Sequence, residues 1–315
     1  MIVSEEIYQA MKAVVMNAIS TNTRIQPKDA IEIGVEYDAL MSLYGQMFVR
    51  NLKKEIRSIS ENIMQEIVKR SQQGESLVTM SNEFHIGSFK FAKLYLEAVG
   101  ERNIQISSLL VEPTQIKDER IRNEILQLIS LDPVCSHELE QLKECLGREY
   151  EELLINLLNE KKMCFETEAE LRSKGKPKTP DILFSIPMAT TCTYRDLLYN
   201  CNDTSKQHLH TPLRIVDKIY SLDDFNENKK VVINWIDSKA MFADIATFNE
   251  NLEQFHAYNN RYGRGMVIYW HGFSEDISSK LLIDDMIIIR DSLPDEWIFP
   301  TGEKADGRIP AFDLL

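Results

Sequence analysis

Apolar residues recur at helical spacing through the first half of the chain and give way to short β-branched runs in the second. Over residues 4–20, Ile7, Met11, Val14, Val15 and Ile19 share one stripe behind Ser4, a residue type that caps helices, which predicts an amphipathic helix. A longer helical pattern runs from Tyr37 to Arg70, with Leu40, Leu43, Tyr44, Met47 and Phe48 supplying its early apolar spacing. A short helix through Met80 and Phe84 then meets the turn His85-Ile86-Gly87. Ser88 is placed to cap a second helix carrying Phe91, Ala92, Tyr95 and Leu96. Two helices joined by a tight turn with Gly form the helix-turn-helix pattern, which also occurs in helix corners that bind nothing.

The periodicity loosens over residues 100–118, and a domain boundary is expected there, giving a helical domain over 1–112 and a second domain over 113–315. The second opens on two helical stretches, 119–130 and 136–162. In the latter Leu153, Leu154, Leu157 and Leu158 define an apolar stripe, and Gly147 is expected to divide the helix. Strands then dominate: 181–188, 230–240, 265–273 and 284–292, with one helix over 246–263 bridging the second and third. This order predicts an α/β (α+β) class, a mixed sheet flanked by helices and preceded by an all-helical part. The polar segment at about 190–228 is too long for a hairpin connection and reads as an insertion.

Composition adds exclusions. The 315 residues suffice for two domains, and no stretch approaches the ~18 apolar residues of a membrane span, so no membrane partner is expected. The early acidic residues of the N-terminus argue against a secretory signal, and five scattered cysteines argue against a disulfide framework. A net charge of −13 weighs against nonspecific coating of nucleic acid, but basic residues cluster locally at Arg172, Lys174, Lys176 and Lys178, and at Arg261 and Arg264.

The chemistry concentrates in Thr179-Pro180-Asp181 and, much later, Asp237-Ser238-Lys239. Two carboxylates and a lysine in this order suit metal-assisted phosphodiester cleavage. Along a strand Asp237 and Lys239 share a face, and that parity collects Val231, Ile233 and Trp235, so the pair is expected to end a buried face. Asp181 and Asp237 would hold a divalent cation, with the backbone carbonyl of Ser238 as a further ligand, and Lys239 would orient the attacking water. Glu151 is expected to enter from the preceding helix as a further anchor for the metal, with Glu149 as its competitor. Gln254 and Tyr258, four apart on the bridging helix, would position carboxylates or phosphate. Cys192, Cys201, His208 and His210 offer a rival zinc site, although their spacing matches no common finger.

From Gly147 to about Phe273 the chain resembles the TPD-motif branch of the PD-(D/E)xK nuclease superfamily, on "LRSKGKPKTPD", "NWIDSKAMFAD", "QFHAYNNRYGRGMVIYWHGF" and, more weakly, "GREYEELLINLL". The resemblance implies a restriction-endonuclease-like core and Mg²⁺-dependent (or Mn²⁺-dependent) hydrolysis of DNA. It assigns catalytic roles to Asp181, Asp237 and Lys239, the helix carboxylate to Glu151, and a QxxxY element to Gln254 and Tyr258. It further implies a nuclear location, with the cytoplasm as an alternative, and a codanin-like protein partner, and it leaves a homodimer open. Asp237 stands where the family more often has Glu, and the 190–228 segment lies outside its pattern. The rival expectations are a non-catalytic scaffold that binds nucleic acid or a partner, and a regulator acting through the helix-turn-helix.

Overall fold

The structure is a computed structural model and describes residues 1–21, 23–56, 61–100, 103–132, 137–192, 229–277 and 287–299. It divides into two compact units, one of residues 1–14, 24–43 and 147–315, the other of 15–23 and 44–146. Among the described residues, no helix is long and apolar enough to cross a membrane.

The first helices are α1 (Glu5–Thr21), α2 (Pro27–Ile33), α3 (Tyr37–Ile56) and α4 (Glu61–Gln72). After them come α5 (Leu77–Glu83), α6 (Ser88–Ala98), α7 (Asn103–Val111) and α8 (Glu119–Leu131). The core of the second unit gathers Ile67, Leu77, Met80, Phe91, Leu96, Ile106, Leu110, Ile125 and Leu128. The sequence-based boundary at 112 falls inside this unit. The loosened stretch is α7 and a short 3-10 turn, and it buries Ile106, Leu109 and Leu110 in one core with Ile121 and Ile125 of α8.

The predicted helix pair is present as α5 and α6, with one revision, at Ser88. Within the turn, His85 takes the left-handed backbone at φ 53°. Its N–H donates to the Asn82 carbonyl, and that of Ile86 to the Ser81 carbonyl, which closes the end of α5. Ser88 is not a cap: it is the first residue of α6, and the preceding Gly87 makes no side-chain cap bond. Carboxylates of α8 and its flank do that work from a distance, Glu124 accepting from Leu77 N–H and Asp132 from Phe89 N–H, 3.0 Å.

The other unit is built on a six-stranded mixed sheet. Its strands are β2 (Phe165–Thr167), β3 (Ile182–Cys192), β4 (Lys229–Lys239), β5 (Gly265–Tyr269) and β7 (Ile287–Arg290), in that spatial order, with β8 (Trp297–Ile298) pairing β3. β1 (Ile2–Val3) and β6 (Phe273–Ser274) form a separate parallel pair. Pairing is antiparallel from β2 to β4 and parallel from β4 through β5 to β7.

One apolar layer packs Leu154 and Leu158 of α9 (His137–Glu160) with Ile182, Met188, Ile233, Ile236, Met266 and Ile268. The opposite layer packs Phe248, Phe255 and Tyr258 of α11 (Ile245–Tyr262) with Trp235, Val267, Tyr269, Ile287 and Ile289. The helix α9 runs unbroken through Gly147, and Leu153 is exposed rather than part of its buried stripe.

The expected single face of Val231, Ile233 and Trp235 is also revised. The first two lie in the α9 layer and Trp235 in the α11 layer. The cause is a large irregularity: Met188 pairs Ile233 and Leu183 pairs Trp235, so residues 184–187 of β3 stand opposite Asn234 alone. Beyond it Trp235, Asp237 and Lys239 share the α11 face as predicted.

Sequence reading did not find β2 or the short helix α10 (Glu168–Ser173), which begins with a capping box of Thr167 and Glu170. The expected insertion begins three residues later than 190, because β3 pairs β4 as far as Cys192 opposite Lys229. The remainder of that segment, with Cys201, His208 and His210 of the rival zinc site, lies outside the described residues.

Near the start of α1, Glu5 hydrogen-bonds Asp276, whose partial burial and carboxylate neighbour push its pKa up to about 6. A folded pKa above the ordinary 3.8 means that stability from Asp276 is present at acid pH and lost as pH rises through about 6. Asp276→Asn is therefore expected to raise Tm at pH 8 and leave it unchanged at pH 5, read by circular-dichroism melts.

Candidate metal centre

Thr179 and Pro180 are buried, and Asp181 follows them at the start of β3. Asp181 Oδ2 accepts the backbone N–H of Ser238 at 2.7 Å, across 57 residues of sequence. This bond ties the Thr-Pro-Asp turn directly to the Asp-Ser-Lys strand. On the face of β4 that meets α11, Lys239 Nζ lies 2.7 Å from Asp237 Oδ2, and Asp237 is 1% exposed. The two form a close, buried ion pair, and no other group bonds that oxygen among the described residues. Lys239 also donates to Gln254 Oε1 at 3.4 Å and lies over the Phe255 ring. Gln254 in turn donates to Tyr258 Oη at 2.6 Å. Five of the predicted site residues thus converge: Asp181, Asp237, Lys239, Gln254 and Tyr258.

The sixth is Glu151 on α9. It is half-buried, and it acts electrostatically on Asp181 and Lys239 and senses Asp237. The competitor Glu149 is exposed. Ser238 contributes its N–H to Asp181, and its hydroxyl accepts from the Trp270 indole at 2.8 Å; that indole stacks on Tyr150. His271 is buried in the turn after β5, and burial lowers its pKa.

The electrostatics are those of carboxylates crowded out of water. Burial first, then the negative charge of Asp237, holds the Asp181 carboxyl well above its usual range, against the opposing Ser238 N–H and Lys239. Burial likewise raises Asp237 against the pull of Lys239, and raises Glu151 with help from Glu168 and Asp237. Burial alone would lower Lys239, but Asp237, Asp181 and Glu151 together lift it above the ordinary lysine value. It is a cation held charged by anions that repel each other.

Such a donor set fits a hard divalent cation. Two carboxylates lie at one site, one of them with a buried oxygen whose partner among the described residues is Lys239 alone. Among the described residues, no three His, Cys, Asp or Glu side chains form a group that could hold an ion. Magnesium needs no such cage: one or two carboxylates commonly hold it, with water and substrate phosphates completing the octahedron.

One carboxylate of the site was not foreseen. Glu168 acts electrostatically on Glu151, Asp237 and Tyr258, and it hydrogen-bonds within the Thr-Pro-Asp turn. In the sequence it reads as one more surface acid before a basic cluster; only the strand β2 that delivers it would have marked it.

A profile of the family described as "Protein of unknown function TPD sequence-motif" matches residues 117–194 and 204–293, so that Asp181, Asp237, Lys239, Gln254 and Tyr258 all lie within it. Among curated relatives, the human protein named CDAN1-interacting nuclease 1 is 28% identical over 255 residues, 76% of this chain and 77% of its own length. The mouse protein of that name is 26% identical over 276 residues, 82% of this chain and 84% of its own. The Xenopus tropicalis protein is 31% identical over 195 residues, 61% of this chain and 51% of its own. No solved structure matches. With the profile covering more than half of its residues, including both halves of the site, the chain belongs to the TPD sequence-motif family.

Proposed function

We propose that the chain is a nuclease that hydrolyses phosphodiester bonds in nucleic acid, DNA foremost, with Mg²⁺ or Mn²⁺ at Asp181 and Asp237. The observation that carries this reading is the buried Asp237 oxygen, beside Lys239 and across the Ser238 amide from Asp181. Carboxyls crowded out of water and raised in this way cluster at functional sites. The names of the relatives support the same reaction class.

The cation would be held by the Asp181 and Asp237 carboxylates and the Ser238 carbonyl, with Glu151 reaching its outer shell. When bound, it supplies positive charge to the phosphate oxygens and activates water there. Lys239 orients the attacking water and offsets charge that builds on the phosphate in the transition state. Gln254, held by Tyr258, fixes the Lys239 ammonium in place. The helix pair α5 and α6 is the proposed second contact with DNA, and a codanin-like protein is the proposed partner, from the relatives' names. The nucleus is the proposed location.

The test is a panel of labelled flaps, junctions, single strands and duplexes incubated with Mg²⁺ and with Mn²⁺. Cation-dependent cleavage of at least one substrate is expected. If nothing is cut and calorimetry detects no divalent cation bound, the fold is a scaffold and this mechanism is lost.

A further inference from the structure

Glu168 is the first residue of α10, yet it does not cap that helix, since Thr167 and Glu170 already form the capping box. Its own bonds run elsewhere. Its N–H donates to the Asp181 carbonyl at 3.0 Å. Its Oε1 accepts the Thr179 hydroxyl at 3.3 Å and Arg172 of the same helix at 2.6 Å. Thr179 is only 4% exposed, so its hydroxyl requires a partner within the protein, and Pro180 has no N–H to give. Glu168 therefore grips both ends of Thr179-Pro180-Asp181, and Asp181 carries that grip to β4 through Ser238.

We propose that Glu168 is a positioning residue for the metal centre: it clamps the Thr-Pro-Asp turn so that the Asp181 carboxylate stays bonded to the Ser238 N–H. This rests on the proposed cation site. It gives the motif's threonine a reason, because a hydroxyl is needed there to reach Glu168. The Arg172 ion pair on the same oxygen is an exposed i,i+4 contact that lends slight support to α10. Partners of this kind, which touch a ligand residue and not the cation, commonly set metal affinity by about tenfold or more.

The experiment compares wild type with Glu168→Ala, Glu168→Gln, Thr179→Val, Thr179→Ser and the double variant Glu168→Ala/Thr179→Val. Each is checked by circular dichroism and titrated with MnCl₂ by calorimetry, without nucleic acid. Glu168→Ala and Thr179→Val are each expected to weaken Mn²⁺ by about tenfold. Glu168→Gln and Thr179→Ser, which preserve the hydrogen bond, are expected to stay close to wild type. The double variant should be no weaker than either single one. Hydrogen exchange of the peptide that contains Ser238, measured without metal, should quicken in the two damaging variants and not in the conservative pair.

Unchanged Mn²⁺ affinity in Glu168→Ala, or additive losses in the double variant, would overturn the clamp. If wild type binds no Mn²⁺ the cation reading fails, and the exchange data then decide the clamp alone: unaltered protection at Ser238 would overturn it.

Discussion

Asp181→Asn is expected to abolish cleavage while leaving the protein as stable as wild type, or more so. The amide oxygen of asparagine still accepts the Ser238 N–H, so the tie between β3 and β4 survives. What disappears is a negative charge that burial and Asp237 both oppose. Its raised folded-state pKa means that ionising Asp181 costs the metal-free protein stability as pH rises from the ordinary carboxylate range through the raised one. The variant should lack that decline. The cleavage rate should fall by at least about 10²–10³-fold, the scale on which losing one electrostatic anchor of a transition state is felt. Saturating Mn²⁺ should raise the Tm of wild type but not of the variant, because a ligand at about 100 times its Kd adds about 2.7 kcal/mol to whatever binds it. Single-turnover cleavage and melts from pH 5 to 8 measure all three effects. A variant that cuts within tenfold of wild type would remove Asp181 from the chemistry.

The second large effect is on the fold beneath the site. Trp235 is fully buried, donates its indole N–H to the Gly263 carbonyl at 2.8 Å, and meets Tyr258 edge-on with ring centroids 5.2 Å apart. Directly beside it, a Cβ on Gly265 would fall 1.9 to 2.4 Å from three carbons of that ring. The ring has nowhere to retreat, so Gly265→Ala should cost at least about 3 kcal/mol, the upper range of overpacking. Trp235→Ala should cost about 3–5 kcal/mol by leaving a cavity. Either is a large fraction of a typical stability of about 5–15 kcal/mol. The double variant is expected to lose less than the sum, since the added methyl enters the space that the indole vacates. Urea denaturation of the four proteins gives the cycle, and strict additivity would mean that the two residues do not share that space.

How far the sequence disclosed this architecture depended on whether the cause was local. Alternation in 235–239 put Asp237 and Lys239 on one face, and spacing put Gln254 and Tyr258 on another that meets them. Each follows from the period of one element. The α9 stripe was read too broadly at Leu153, because periodicity cannot say how wide a buried face is. The placement of Val231 and Ile233 failed because β3 carries four residues opposite one of β4, a property of the pair and not of either strand. Caps that arrive from another helix, as Glu124 and Asp132 do, leave no mark beside the helix they serve. Glu168 was missed for the same reason: its meaning comes from a turn eleven residues later.

The antiparallel pair β3 and β4 has two ends with opposite duties. At one end Asp181 meets Ser238; at the other, Cys192 stands level with Lys229. Neighbours across a ladder can be joined by as few as two residues, so whatever the chain carries between 192 and 229 begins and ends at one spot on the rim. The family profile resumes at residue 204 and so takes in most of that span, which the sequence reading sets outside the family's pattern. What departs from this rim is thus shared property of the family, tethered side by side at the pole opposite Asp181 and Ser238.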